Sequence, residues 1–218
     1  SIRQLVAAAR PGEWIVTMPL GTPPDFRGMP ESLAEGRWPT RWDLDEVAPN
    51  NPVYIKSIWG YWRHTLPLVS IANSKALEIA GIKAGTAPPL PTVEIEKDEK
   101  SGEPTGIFIE NNFMPIVEFT LMRCAPRFSA SQRLSGLKRS MAIYNSFGTT
   151  GVYEGHGVAN EVLSAYQSLR DAGPLPVRSH LVLSPRWHGA TAETVQACLS
   201  DWLGWLKRRG LGDDTLRV

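Results

Sequence analysis

The sequence predicts an α/β fold, and within that class a segment of a (β/α)8 barrel. Three observations lead there. From Thr149 onward, short apolar runs of strand length alternate with longer runs of helical period, the pattern of parallel βαβ units. No Gly-x-Gly-x-x-Gly opens the helix after the first of those strands, and no Walker loop occurs anywhere, which argues against the nucleotide-binding doubly wound sheets. The texture also changes near residue 128: before it the chain is Pro-rich and irregular, after it regular.

The elements follow in order. Residues 1–10 carry the pattern of an amphipathic helix. Strands are expected over residues 13–18, 53–57, 92–97 and 105–110. The last two are joined by the charged turn Asp98-Glu99-Lys100-Ser101-Gly102 and predict a hairpin. A short helical turn covers 44–47, and a longer helix over 70–80 ends at Gly81. Ser129-Ala130-Ser131-Gln132 is a capping box, opening a helix with Leu134, Leu137, Met141 and Tyr144 on one stripe and Gly148 as its stop. Residues 149–154 then read as a strand, 161–172 as a helix stopped by Gly173-Pro174, and 177–183 as a second strand. Thr191 caps a helix running to Arg209, with Lys207, Arg208 and Arg209 where cations suit the helix dipole. Leu216-Arg217-Val218 opens a third strand. A parallel strand needs a neighbour for its backbone groups, so the expectation is part of a larger catalytic domain.

Composition narrows the function. With 42% apolar and 21% charged residues the chain reads as an ordinary soluble globular protein. Lys plus Arg at 23 nearly balances Asp plus Glu at 22, so no charge patch points to nucleic acid or a membrane surface. Apolar runs are too short and broken for a transmembrane helix, and no signal-peptide order appears. The expected setting is cytoplasmic. Cys124 and Cys198 lack metal-ligand spacing and read as reduced thiols in or near a core. Most of the 8 Trp residues read as core or domain-interface packing.

In a barrel, working residues sit just past the C-terminal ends of strands. Here these are Glu154-Gly155-His156 and Ser184-Pro185-Arg186-Trp187-His188. Glu154 closes an apolar strand and is expected at the barrel mouth. There it serves as metal ligand, general base or orienting partner, or else caps the next helix or pairs with Arg186. His156 shares that mouth, as a functional or a solvated residue; His188 is the weaker case. His180 lies mid-strand and reads as a buried, hydrogen-bonded core residue. His64 and Trp62, within Gly60-Tyr61-Trp62-Arg63-His64-Thr65, form either a substrate wall or a packing cluster. No His-x-His, Cys cluster or Gly-x-Ser-x-Gly elbow is present, so no metal ligand is assigned in this segment and a serine hydrolase is a poor reading.

Several further segments occur in a telling order: Thr40-Arg41-Trp42-Asp43-Leu44-Asp45 with Val47-Ala48-Pro49 and Pro52-Val53; Ala72-Asn73-Ser74-Lys75-Ala76-Leu77 with Ala80-Gly81-Ile82; Gly102-Glu103-Pro104-Thr105-Gly106 with Glu110; and Gly148-Thr149-Thr150-Gly151-Val152. In this order the chain resembles, over nearly its whole length, amidohydrolase family 3 of the metal-dependent hydrolases.

The resemblance implies a (β/α)8 barrel with a long mixed α+β insertion after its first strand. Residues 1–128 would be the insertion and residues 129–218 barrel units two to four. It also implies hydrolysis of non-peptide C–N bonds in a small-molecule substrate by water activated on a divalent metal, zinc being the first expectation. A homo-oligomer is compatible with it. The family's His-x-His would precede Ser1, and its bridging lysine or acid would follow Val218. The segment by itself is therefore expected to be inactive. Two departures bear on substrate choice: Leu68 stands where many relatives carry a His, and Glu154 where Asp is commoner. Two alternatives stay open, a non-catalytic scaffold or partner module and an unrelated α/β sugar- or acid-binding protein.

Overall fold

A computed structural model describes residues 2–17, 30–57, 66–184, 191–206 and 212–218. The chain forms two compact units, Ser1–Arg127 and Phe128–Val218.

The first unit is built on a five-stranded sheet. After α1 (Ile2–Ala8) come β1 (Ile15–Thr17), a single 3-10 turn (Pro30–Ser32), α2 (Arg41–Val47), β2 (Val53–Ile55) and β3 (Leu68–Ala72). Then follow α3 (Ser74–Ala80), β4 (Val93–Lys97), β5 (Pro104–Glu110) and the short α4 (Ile116–Phe119). The order across the sheet is β1-β2-β3-β5-β4, with β1 and β2 parallel and the remaining pairs antiparallel. Alternation along the strands supplies two apolar faces. Tyr54, Ala72, Phe108, Val93 and Ile95 meet Ala76 and Leu77 of α3 and Val117 of α4 on one face. Ile15, Val53, Ile55, Ile71 and Ile107 meet Leu44 of α2 on the other.

The hairpin expected across residues 98–102 is present. Its turn is held by Asp98, whose Oδ1 accepts from the amides of Lys100 and Ser101 and from the Ser101 hydroxyl. The helix expected over 70–80 is shorter than the sequence suggested, because Leu68–Ala72 is a strand and Asn73 caps α3. The tertiary ladder decides the matter: Ser70 and Ile71 pair with Phe108 and Ile107 of β5, and that pairing overrides a helical reading of the same residues.

The motif residues of this unit turn out to be joints. Asn73 is fully buried and makes four hydrogen bonds. Its Oδ1 accepts from the Val53 amide at 2.8 Å and the Ala76 amide at 3.1 Å, and its Nδ2 donates to the Asn51 and Ala48 carbonyls at 2.9 and 3.3 Å. Ser74 donates through Oγ and N–H to the two carboxylate oxygens of Asp45 on α2. Asp43 accepts from the Thr40 amide and hydroxyl and takes a bidentate Arg37 at 2.7 and 2.8 Å, which holds its carboxyl well below the usual range. Gly106 has φ +91, and a Cβ there would overlap the Ala72 carbonyl oxygen and press on Arg41, so only glycine lets β5 and α2 approach this closely.

The second unit contains α5 (Ala130–Ser146), β6 (Gly151–Val158), α6 (Asn160–Asp171), β7 (Arg178–Leu183), α7 (Ala192–Leu206) and β8 (Leu216–Arg217). Ser129 and Gln132 form the expected capping box on α5. The three strands are parallel in the order β6-β7-β8, with a register shift between Glu154 and Val158. Met141 of α5 and Leu163 of α6 pack with Val158, Val177, Leu181 and Leu216 on one face. The opposite face carries the cross-strand row Tyr153, His180 and Arg217. Tyr153 is 71% exposed there. His180 is exposed on this face too, a correction to its reading as a core residue, because its pleat position is the alternate of buried Ser179 and Leu181. Tyr144, placed by its spacing on the α5 stripe, is likewise largely exposed, and Cys124 is exposed rather than in a core.

Asn73→Ala should lower stability by about 3–5 kcal/mol in urea denaturation, since it takes the side-chain partner from two buried amides and two carbonyls. Asn73→Asp should do no better, because it keeps the acceptor and removes both donors. Gly106→Ala should cost about 2–4 kcal/mol through strain and overlap.

Candidate functional site

Chemistry-bearing groups of the first unit gather where β2, β3 and β5 pass beneath α4. Tyr54, Ser70 and Glu110 lie on the same apolar face and are all essentially inaccessible to solvent. Tyr54 belongs there because Ala72 sits opposite it, Ser70 because Phe108 does, and Glu110 because it stands between Leu68 and Val93. Lys56 lies two residues beyond Tyr54. Its Nζ is 2.6 Å from Oε1 of Glu118 on α4, with the two side chains only 16% and 18% exposed.

Glu110 is the group furthest from ordinary behaviour. Its Oε2 accepts from the Val117 amide at 2.9 Å, while Oε1 has no hydrogen-bond partner. Burial pushes its carboxyl up to about 7, against the pull of the Val117 and Ile116 amides and with a further push from Glu118. The Tyr54 hydroxyl is driven well above the usual phenol range by burial. The Tyr54 and Ser70 hydroxyls interact with each other, and neither has a further partner. A buried carboxylate oxygen left open beside them is costly and sets this region apart from plain apolar packing.

Of the residues singled out from the sequence, Glu154 and His156 lie on β6. Glu154 lies on β6 opposite Leu181, so it shares the helix-covered face and not the open one. There its charge acts on the Tyr166 hydroxyl, which burial raises above its ordinary range despite a hydrogen bond with Ser179. His156 belongs to β6, inside the irregular stretch between Glu154 and Val158. Trp62 and His64 fall outside the described residues, as do Arg186 and His188.

The Glu110 cluster was missed by sequence reasoning, although a signal existed. Ile107-Phe108-Ile109 is apolar on both faces, and a carboxylate two positions beyond Phe108 shares the covered face of that residue.

A divalent metal needs three or more suitable donors, and among the described residues no group of three His, Cys, Asp or Glu side chains is arranged to hold one. The described residues therefore do not fit such an ion. A groove along α7 is lined by Thr191, Val195, Gln196, Leu199, Ser200 and Leu203. No helix among the described residues is long and apolar enough to cross a membrane.

Known proteins resemble this chain along its length. A family model described as "Amidohydrolase family" matches residues 2–218. An N-substituted formamide deformylase of Arthrobacter pascens is 38% identical over 100 residues, 46% of this chain and 15% of that protein. The exoenzymes regulatory protein AepA of Pectobacterium carotovorum is 28% identical over 148 residues, 66% of this chain and 29% of that protein. An uncharacterized metal-dependent hydrolase of Pyrococcus horikoshii shares the fold at a TM-score of 0.55 and 18% identity, covering 100% of this chain and 36% of the other. The chain thus corresponds to less than a third of the length of these two sequence relatives.

The Lys56–Glu118 pair gives a direct test of the cluster's energetics. Glu118→Gln, which removes the carboxylate 2.6 Å from a mostly buried ammonium, should cost about 1–3 kcal/mol in urea denaturation. Replacing both partners, Lys56→Met with Glu118→Leu, should recover most of that loss.

Proposed function

The chain belongs to the amidohydrolase family, and from that premise we infer that it forms part of a hydrolase cleaving a non-peptide, amide-type C–N bond in a small-molecule substrate. The observation that carries this reading is the family match along residues 2–218, joined by a fold likeness that covers the whole chain. The relative named as a deformylase of N-substituted formamides supports the choice of bond.

In this reading residues 129–218 contribute barrel units two to four, and residues 1–128 are an insertion. The parallel order β6-β7-β8, with intervening helices and apolar cover on one face, supports the barrel. The opposite face, with Tyr153 and His180, then lines the interior. Glu154 and His156 belong to the same end of β6, and Glu154 acts from the helix-covered side, beside Tyr166, as an orienting group. Trp62 and His64 are the proposed pocket wall. A divalent metal, zinc first, belongs to the proposal as a requirement of the activity. Because the described residues supply no donor set for it, no step is assigned to it. A cytoplasmic setting and a homo-oligomer complete the reading.

A second reading, a non-catalytic scaffold or partner module, is supported by the relative named as a regulatory protein.

The two separate in one assay. The purified protein carrying this chain is offered N-substituted formamides and simple amides, and amine release is followed before chelation, after chelation and after zinc is restored. The expected result is release that chelation abolishes and zinc returns. Folded, zinc-supplemented protein that releases no amine from any of them would overturn the hydrolase reading in favour of the scaffold.

A further inference from the structure

We propose that the buried Glu110 carboxyl is a proton-operated latch on the first unit: protonated, it lets α4 stay closed over the sheet, and ionised, it favours opening of that helix. The proposal rests on the geometry of the unit and is independent of the hydrolase reading.

Glu110 ends β5, fully buried, with the apolar residues Leu68 and Val93 directly opposite it on the two neighbouring strands. One oxygen is tied to the first turn of α4 through the Val117 amide, 2.9 Å away. The other has no hydrogen-bond partner. α4 is only four residues long, too short to stand without its tertiary contacts. Val117, itself fully buried, and the hydrogen bond its N–H donates to Glu110 hold it down.

The charged and titratable groups around Glu110 explain the direction. From β2 come the Tyr54 hydroxyl and, just beyond, Lys56, whose ammonium is engaged by Glu118. From α4 comes Glu118 itself, whose negative charge opposes a second one on Glu110. Beyond α4 lies Cys124, exposed, which acts on Tyr54. β3 and β4 offer only apolar side chains at the opposing positions. A neutral carboxyl suits this apolar setting. Ionisation returns the proton to solvent and leaves a charge in an apolar layer. Opening α4 brings that charge to water.

The sign follows from linkage. The closed form holds the proton up to about 7, whereas in the open form Glu110 titrates at its ordinary 4.5. Opening is therefore hardest below pH 4.5, becomes easier as pH rises through 7, and then levels off. Within that window the opening constant should rise about tenfold per pH unit.

Two measurements on the full chain test this. Side-chain carboxyl 13C shifts, with Glu110 assigned by its loss in Glu110→Gln, should give a midpoint near 7. Amide exchange of Val117, corrected for intrinsic base catalysis, should show the opening constant climbing between pH 5 and 7 in wild type and flat in Glu110→Gln. A Glu110 midpoint near 4.5, or the same climb in both proteins, would overturn the latch. If Glu110→Gln does not fold, the wild-type chain still decides: its one carboxyl displaced to near 7 must be absent for the proposal to fail.

Discussion

The first unit depends on one buried amide. Asn73 joins the start of β2, the end of α2 and the start of α3, and it does so with its full set of donors and acceptors in use. None of those elements exceeds seven residues, so none is stable by propensity alone. A side chain that terminates one element while capping the next replaces the length they lack. The Asp45–Ser74 contact repeats the device beside it, and Arg41 extends it to β5 through the Pro104 carbonyl.

This explains which parts of the sequence were legible. Thr40, Asp43, Asp45, Asn73, Ser74 and Gly106, the residues that carry the family resemblance, are recognisable because their jobs are geometric and few residue types can do them. They identify the scaffold without identifying the chemistry. The helices after residue 128 were legible for a related reason: capping and stop signals at Ser129 and Gly148 act locally. β3 was not, because a five-residue strand running into a capped helix has no periodicity of its own, and only β5 across the sheet fixes it.

The candidate site was less legible because it depends on which way a strand pleats. Glu154 and Tyr153 are neighbours in sequence, yet one lies against the helices and the other on the open face. His180 reversed for the same reason. Glu110 had an inward register that the sequence contains, but its meaning comes from α4 settling over it, a contact between residues that no local pattern announces.

The register shift between Glu154 and Val158 has an evolutionary consequence. Along a pleated strand, substitution changes one side chain on one face. Adding or losing a residue ahead of a tolerated irregularity moves every earlier side chain to the other face while the remainder of the strand keeps its pairing. A lineage carrying this strand can thus exchange the set Gly151, Tyr153 and Gly155 for Val152 and Glu154 in a single event. Diversification of such a scaffold would then be written in strand length, and sequence comparisons that score only substitutions would pass over it.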